Sequence, residues 1–199
     1  MRRRQLLKLI AASAILAAAF PFPAPALAAV EVAGVKFDDT ATVAGKELKL
    51  NGAGLRTKVI FKVYAAGLYL TEKKTTVADV LGSAGPRRVA INMLRDVSSD
   101  EFGKSFMEGL NSNTDKIERT RILPQTMKFG EVFAQIQTLK KGDQMLLDWL
   151  PGEGTQCYVN GKKLGELMPD VAFYNAVLRI WLGDKPVDSS LKPALLGER

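Results

Sequence analysis

Two polar side chains carry most of the chemistry this chain offers. Arg56 and Tyr64 both lie in the stretch NGAGLRTKVIFKVYAAGLYL, from Asn51 to Leu70. Arg56 follows two glycines that suggest a bulge or tight bend, and Tyr64 sits inside an apolar run. A guanidinium presents a fork of N–H donors to a carboxylate or phosphate, and a phenol adds one more donor. The pair therefore suits the anionic head of an apolar ligand, with the surrounding apolar residues left to cover its tail. Geometry sets a condition. Along one straight strand the eight steps from Arg56 to Tyr64 span about 26 Å. The two can share a ligand only if the chain turns between them, near Thr57-Lys58.

Composition excludes several other chemistries. The 199 residues contain no histidine. That removes the commonest general base and metal ligand, together with Ser-His-Asp and Cys-His nucleophilic machinery. Cys157 is the single cysteine, so no internal disulfide forms, and its setting from Thr155 to Val159 reads as a strand. A buried, inert thiol is expected there. No metal, cofactor or catalytic residue is expected.

The net charge of +7 owes much to Arg2, Arg3, Arg4 and Lys8, and without those four it is +3. The remaining lysines are scattered or paired, with no interleaved aromatics to stack bases, so no nucleic-acid partner is expected. Met1 to Ala28 reads as an export leader. It has a basic start, an apolar run from Leu9 to Phe20, three prolines, and a small-residue site at Ala26-Leu27-Ala28. Arg3-Arg4-Gln5-Leu6-Leu7-Lys8 also resembles a twin-arginine signal, and both export routes stay open. The apolar run is short for a bilayer span, so no integral span is expected in the mature chain. Residues 29–199 are expected to form one domain in a bacterial-type periplasm.

The elements that must position Arg56 and Tyr64 follow from periodicity. Val30 to Phe37 reads as an edge strand, Lys46 to Leu50 as a half-buried strand, and Val59 to Leu70 as a long one. In the last, the odd positions from Val59 to Tyr69 make a continuous apolar face, while the even face changes from polar to apolar at Tyr64. Such a position suits a buried ring whose hydroxyl finds a partner. Val77 to Leu81 is a short helix and Arg87 to Leu94 a strand. Ser98-x-x-Glu101 is a capping box opening a helix with Phe102, Phe106 and Leu110 on its buried side, ending at Asn111 to Asn113. A second helix is expected over Gln125 to Leu139. Strands follow over Gln144 to Leu150 and Gln156 to Val159, and Asn160-Gly161 signals a hairpin into Lys162 to Leu167. Pro169 begins a widely buried helix ending at Leu182, and a last short helix runs from about Ser190 to Leu196. The order describes an α+β fold, an antiparallel sheet with helices packed on one face.

Three segments together resemble the chalcone isomerase fold family, in its bacterial exported branch. They are Gly52-Ala53-Gly54-Leu55-Arg56, the run Phe61 to Leu70, and Trp181-Leu182-Gly183-Asp184-Lys185-Pro186-Val187 with Leu191-Lys192 beyond. The resemblance implies an open-faced sandwich with a ligand cleft between sheet and helices. It implies two kinds of relative, enzymes that close a flavanone ring and non-enzymatic binders of fatty acids. Arg56 matches the arginine shared by both. Tyr64 falls where the enzymes carry threonine and the binders tyrosine. Met93 replaces the enzymes' lysine, Phe102 their tyrosine, Gly109 an asparagine and Ile180 a threonine. An apolar cleft of this kind suits a chain and offers no evident general acid or base. The expectation is a non-catalytic binding protein for a fatty acid or similar apolar carboxylate, with Arg56, Tyr64, Met93, Phe102 and Ile180 as ligand-binding positions. The alternatives are an intramolecular lyase of the chalcone isomerase type and an envelope interaction protein with a vestigial cleft.

Overall fold

The structure is a computed structural model that describes residues 29–198. The export leader expected over 1–28 lies outside them. The strands are β1 (Ala29–Val32), β2 (Val35–Asp38), β3 (Thr40–Val43), β4 (Lys46–Lys58), β5 (Phe61–Leu70), β6 (Arg87–Met93), β7 (Val97–Ser98), β8 (Thr138–Leu139), β9 (Gln144–Leu150), β10 (Gly154–Val159) and β11 (Lys162–Met168). The helices are α1 (Val77–Leu81), α2 (Ser99–Ser112), α3 (Lys116–Arg121), α4 (Leu123–Ala134), α5 (Val171–Leu182) and α6 (Leu191–Leu195). Seven strands form one antiparallel sheet in the order β11-β10-β9-β6-β5-β4-β3, and β1-β2 and β7-β8 make two small pairs. The α+β class and the one-sided helical layer are as the sequence implies.

The sheet carries two cores. On the helical side, Leu68, Val89, Ile91, Leu147 and Cys157 meet Phe106, Phe129, Phe173, Val177 and Trp181. Helix α5 is buried on most of its circumference, so its apolar residues spread over more than one stripe. Aromatic rings fasten α2 to α4, with Phe106 and Phe129 centroids 4.5 Å apart and Phe102 and Phe133 5.1 Å apart. The opposite face has a smaller core around Phe37, Leu48, Leu50, Ala65 and Tyr69, capped by the β1-β2 hairpin. Gly67 makes room for that cap, since a Cβ there would stand 2.7 Å from the Phe37 ring.

Several local expectations give way to tertiary packing. Val30 to Phe37 is not one strand but a hairpin turning at Ala33-Gly34, both at positive φ. Gly52 and Gly54 lie within β4, with the expected bulge between Leu50 and Gly52 but no tight bend, and a second register shift follows between Arg56 and Thr57. They are glycines because α6 packs against the strand: a Cβ on Gly54 would lie 2.7 Å from Ala194 Cβ and 2.8 Å from Leu191 Cδ1. The helix read over Gln125 to Leu139 begins earlier, ends at Ala134, and leaves Leu139 in β8. Helix α3 was not expected. None of its residues is buried, so it has no apolar stripe to read. Ser98 caps α2 by accepting from Glu101 N at 3.2 Å, but the Glu101 carboxylate reaches Arg95 at 2.6 Å. Asp170, not Pro169, caps α5 by accepting from Ala172 N at 2.8 Å.

The turn that matters for the site is Val59-Ile60. Lys58 pairs with Phe61, and Arg56 pairs directly with Tyr64 across the β4-β5 hairpin. A bulge opposite Arg56 and Thr57 makes Val63 the extra residue of β5. Val63 and Tyr64 then both enter the helical-side core, and the simple odd-even division of this strand fails.

Candidate functional site

Arg56 and Tyr64 stand at one end of a slot between the sheet and the helices. The slot is lined by Ile91 and Leu147 from the sheet, Phe102, Ser105 and Phe106 from α2, and Phe129, Ile180, Trp181 and Val187 beyond. The Arg56 guanidinium carbon lies 5.3 Å from the centroid of the Tyr64 ring, a cation–π arrangement that holds the fork over the phenol. Among the described residues no carboxylate is within ion-pairing distance of Arg56, and its buried Nε has no hydrogen-bond partner. Such a group retains donor capacity that the fold does not consume.

Tyr64 is 3 % exposed. Its hydroxyl accepts a hydrogen bond from Trp181 Nε1 at 2.7 Å, leaving its own proton available to an acceptor in the slot. Burial raises its pKa, opposed by the nearby Arg56 charge and the Trp181 donor, so the phenol is protonated at neutral pH. The loop after α5 turns back through Val187 N, which donates to Ile180 O at 2.9 Å, and so delivers Val187 to the slot and Asp188 to the backbone of β4 beside Arg56. Asp188 accepts from Thr57 N at 2.8 Å and from Ser190 N and Oγ at 2.9 and 2.7 Å. Burial acts to raise its pKa, but these donors, with Leu191 N, outweigh it and hold the carboxyl below its ordinary range.

The structure thus brings together Arg56, Tyr64, Phe102 and Ile180. Met93 is 1 % exposed, sits opposite Tyr64 on β6, and faces the core instead of lining the slot. Gly109 is a helix contact. A Cβ there would stand 2.8 Å from Ile180 Cγ2 and 3.1 Å from Val187 Cγ1, so the missing side chain lets α2 lie on α5. Sequence reasoning did not assign Trp181, which orients the phenol, or the rings of Phe106 and Phe129, which form the inner wall. Trp181 follows Ile180 directly, and four-residue spacing from Phe102 marks Phe106, so signals for both were present.

The slot is narrow, about 20 Å³, little more than one water. On the far side of Phe106 and Phe129 an open groove of about 390 Å³ runs between α2 and α4. Chemically, the arrangement offers one cation and one neutral phenolic donor at the end of walls that are hydrocarbon except at Ser105. It can hold an anion. Cys157 lies apart, buried, with its thiol pushed up to about 12 by burial and by Asp148.

Comparison with known proteins agrees with this geometry at the level of the fold. A crystal structure of a fatty-acid binding protein from Arabidopsis thaliana superposes with a TM-score of 0.61 at 16 % sequence identity, covering 82 % of this chain and 92 % of that one. No curated protein sequence matches the chain. The profile of the chalcone isomerase-like family matches residues 29–197, nearly the whole of the described region, and the chain belongs to that family.

Proposed function

We propose that this chain is a non-catalytic envelope protein that binds a fatty acid or similar apolar carboxylate, with the carboxylate held by Arg56 and Tyr64. The observation that carries the reading is the guanidinium over the phenol, with the buried Nε–H and the phenolic O–H without acceptors, at the end of a hydrocarbon slot. A charge-assisted fork contact with a hydroxyl beside it suits a carboxylate, and each buried CH₂ of the tail adds about 0.8 kcal/mol. The likeness in fold to a plant fatty-acid binding protein supports the same class of ligand. The tail enters by parting Phe106 from Phe129, which joins the slot to the groove between α2 and α4. Binding is then coupled to a movement of α2 against α4. The leader over 1–28 directs the chain to the periplasm, which cell fractionation tests.

Native mass spectrometry of the folded protein, followed by titration with laurate, tests the function. Retained acyl ligand, or saturable laurate binding that is weakened about tenfold or more in Arg56→Ala, is the expected result. Absence of both removes the reading. The narrowness of the slot favours one other reading, a vestigial cleft in an envelope interaction protein, and that outcome would select it.

A further inference from the structure

The tip of the β4-β5 hairpin has a composition that the fold does not explain. The described residues make four two-residue hairpin turns. Ala33-Gly34, Ala44-Gly45 and Asn160-Gly161 each place glycine second, with both residues at positive φ. The fourth is Val59-Ile60. Val59 stands at φ 59, a left-handed conformation that glycine or asparagine adopts readily and a β-branched residue adopts only under strain. Val59, Ile60 and Phe61 are 89 %, 79 % and 59 % exposed. Three consecutive large apolar side chains lie mostly in water, one of them strained, and none belongs to either core of the described residues.

Placement gives them a use. Strand β6 stops at Met93, opposite Tyr64, whereas the hairpin runs on to the Lys58–Phe61 pair. Leu94 N still donates to Val63 O at 2.9 Å, so the tip projects two residues, about 7 Å, past its neighbour. It projects from the end of the sheet at which Arg56 stands. Lys58 and Lys62 flank it, both exposed. Strand directions bring Lys140, Lys141, Lys162 and Lys163 to the same end, because β9 starts there and β10 turns there into β11. Acidic residues at this end are tied to backbone N–H groups: Asp96 accepts from Lys141 N at 2.8 Å, Asp143 from Lys140 N at 2.7 Å and Asp188 from Thr57 N at 2.8 Å, and the lysines outnumber them. A convex apolar point backed by lysines complements a bilayer surface, hydrocarbon for the point and anionic headgroups for the ammonium groups.

We propose that Val59-Ile60-Phe61 inserts into the interface of an anionic lipid bilayer, with Lys58 and Lys62 at the level of the phosphates. Docked this way, the Arg56 end of the slot faces the headgroups. The inference goes beyond the ligand-binding reading and does not require the slot to be loaded. Where both hold, a fatty acid passes between bilayer and slot without crossing water.

The test labels the tip itself. Cys157 is buried, so an introduced cysteine is modified alone. The full chain carrying Ile60→Cys is labelled with an environment-sensitive fluorophore and mixed with phosphatidylcholine vesicles containing about one-third phosphatidylglycerol. A second protein carries the label at Glu153→Cys, in the turn at the opposite end of the sheet. The expected result is a blue-shifted, brighter signal at the tip and none at Glu153→Cys. Each lysine near an anionic surface is worth about 1 kcal/mol, or roughly fivefold. Lys58→Gln with Lys62→Gln should thus raise the lipid needed for the tip signal about 30-fold. A silent tip, equal signals at both positions, indifference to the lysine pair, or a tip signal that follows protein concentration without lipid overturns the proposal; the last would assign the tip to a second copy. Arg56→Ala should keep the tip signal. Laurate binding with a silent tip sinks this inference alone, and a responsive tip without laurate binding sinks only the ligand reading.

Discussion

Replacing Arg56 by alanine separates a ligand-binding cation from a structural one. A structural arginine is held by partners, and its loss leaves them unsatisfied. Arg56 has no ion-pair partner among the described residues, and its Nε is already without one. What the fold loses is the contact with the Tyr64 ring, 5.3 Å away, made by a guanidinium that is itself only partly buried, worth about 0.5–1 kcal/mol. What it gains is relief of a buried unpaired donor, of similar size. The two nearly cancel, so the unliganded variant should melt within about 4 °C of the parent. Ligand affinity should behave differently. Hydrogen bonds to a charged group contribute about 1.5–3 kcal/mol, so laurate should bind roughly 10- to 150-fold more weakly. Arg56→Lys keeps the charge without the fork and should fall between. Calorimetric titration alongside thermal unfolding measures both quantities on one preparation. Unchanged laurate affinity in a folded Arg56→Ala protein refutes the reasoning, as does a drop in melting temperature comparable to that of a core deletion.

Gly52→Ala should lower unfolding free energy by about 1–3 kcal/mol in urea titrations, as expected for overpacking, because its Cβ would meet the backbone of α6 at Ala194 and Leu195 and of Gly197 just beyond it; a change below about 0.5 kcal/mol would mean that α6 is not seated on β4. Cys157 should resist thiol reagents at pH near 8 in the native protein and react fully in urea, since burial pushes its thiol up to about 12; rapid native labelling would contradict the packing of β10. Asp188 has a native pKa below its ordinary value, so its contribution to stability is present above the unfolded-state value near ~4 and is lost as pH falls through the native one. The urea midpoints of the parent and Asp188→Asn should therefore differ most at neutral pH and converge in acid, and a gap that widens on acidification would reverse the assignment.

Where local sequence carried its own signal, it reported the structure well. Asn160-Gly161 marks its hairpin because both residues tolerate positive φ, Ser98 marks the start of α2, and the Phe102-Phe106-Leu110 spacing marks its buried side. Failures came where the cause lies elsewhere in the chain. Gly52 and Gly54 suggest a bulge or tight bend, and the bulge beside Gly52 is present, but only the distant α6 shows why no side chain fits at either position. Val59-Ile60 has no residue type that announces a turn, so Arg56 and Tyr64 appeared to need a bend nearer Thr57. The turn two residues later places them face to face. The bulge at Val63 moves one residue to the other face of β5, which no alternation pattern shows. The site was legible as a pair of residue types. Its inner wall, from α2, α4 and α5, was not, because apolar side chains facing a slot and those facing a core look alike in sequence.

The hairpin register also divides the labour of recognition along the chain. Arg56 and Tyr64 are neighbours across two strands joined by a single tight turn, so the part proposed to read a head group is encoded in one short, contiguous cassette. The walls that would measure a tail come from three helices distributed over the rest of the sequence. Substitutions at Phe102, Phe106, Phe129 or Ile180 can therefore retune chain length or branching while charge selection stays fixed. Inserting or deleting one residue between Thr57 and Val63 would abolish charge selection with every wall intact.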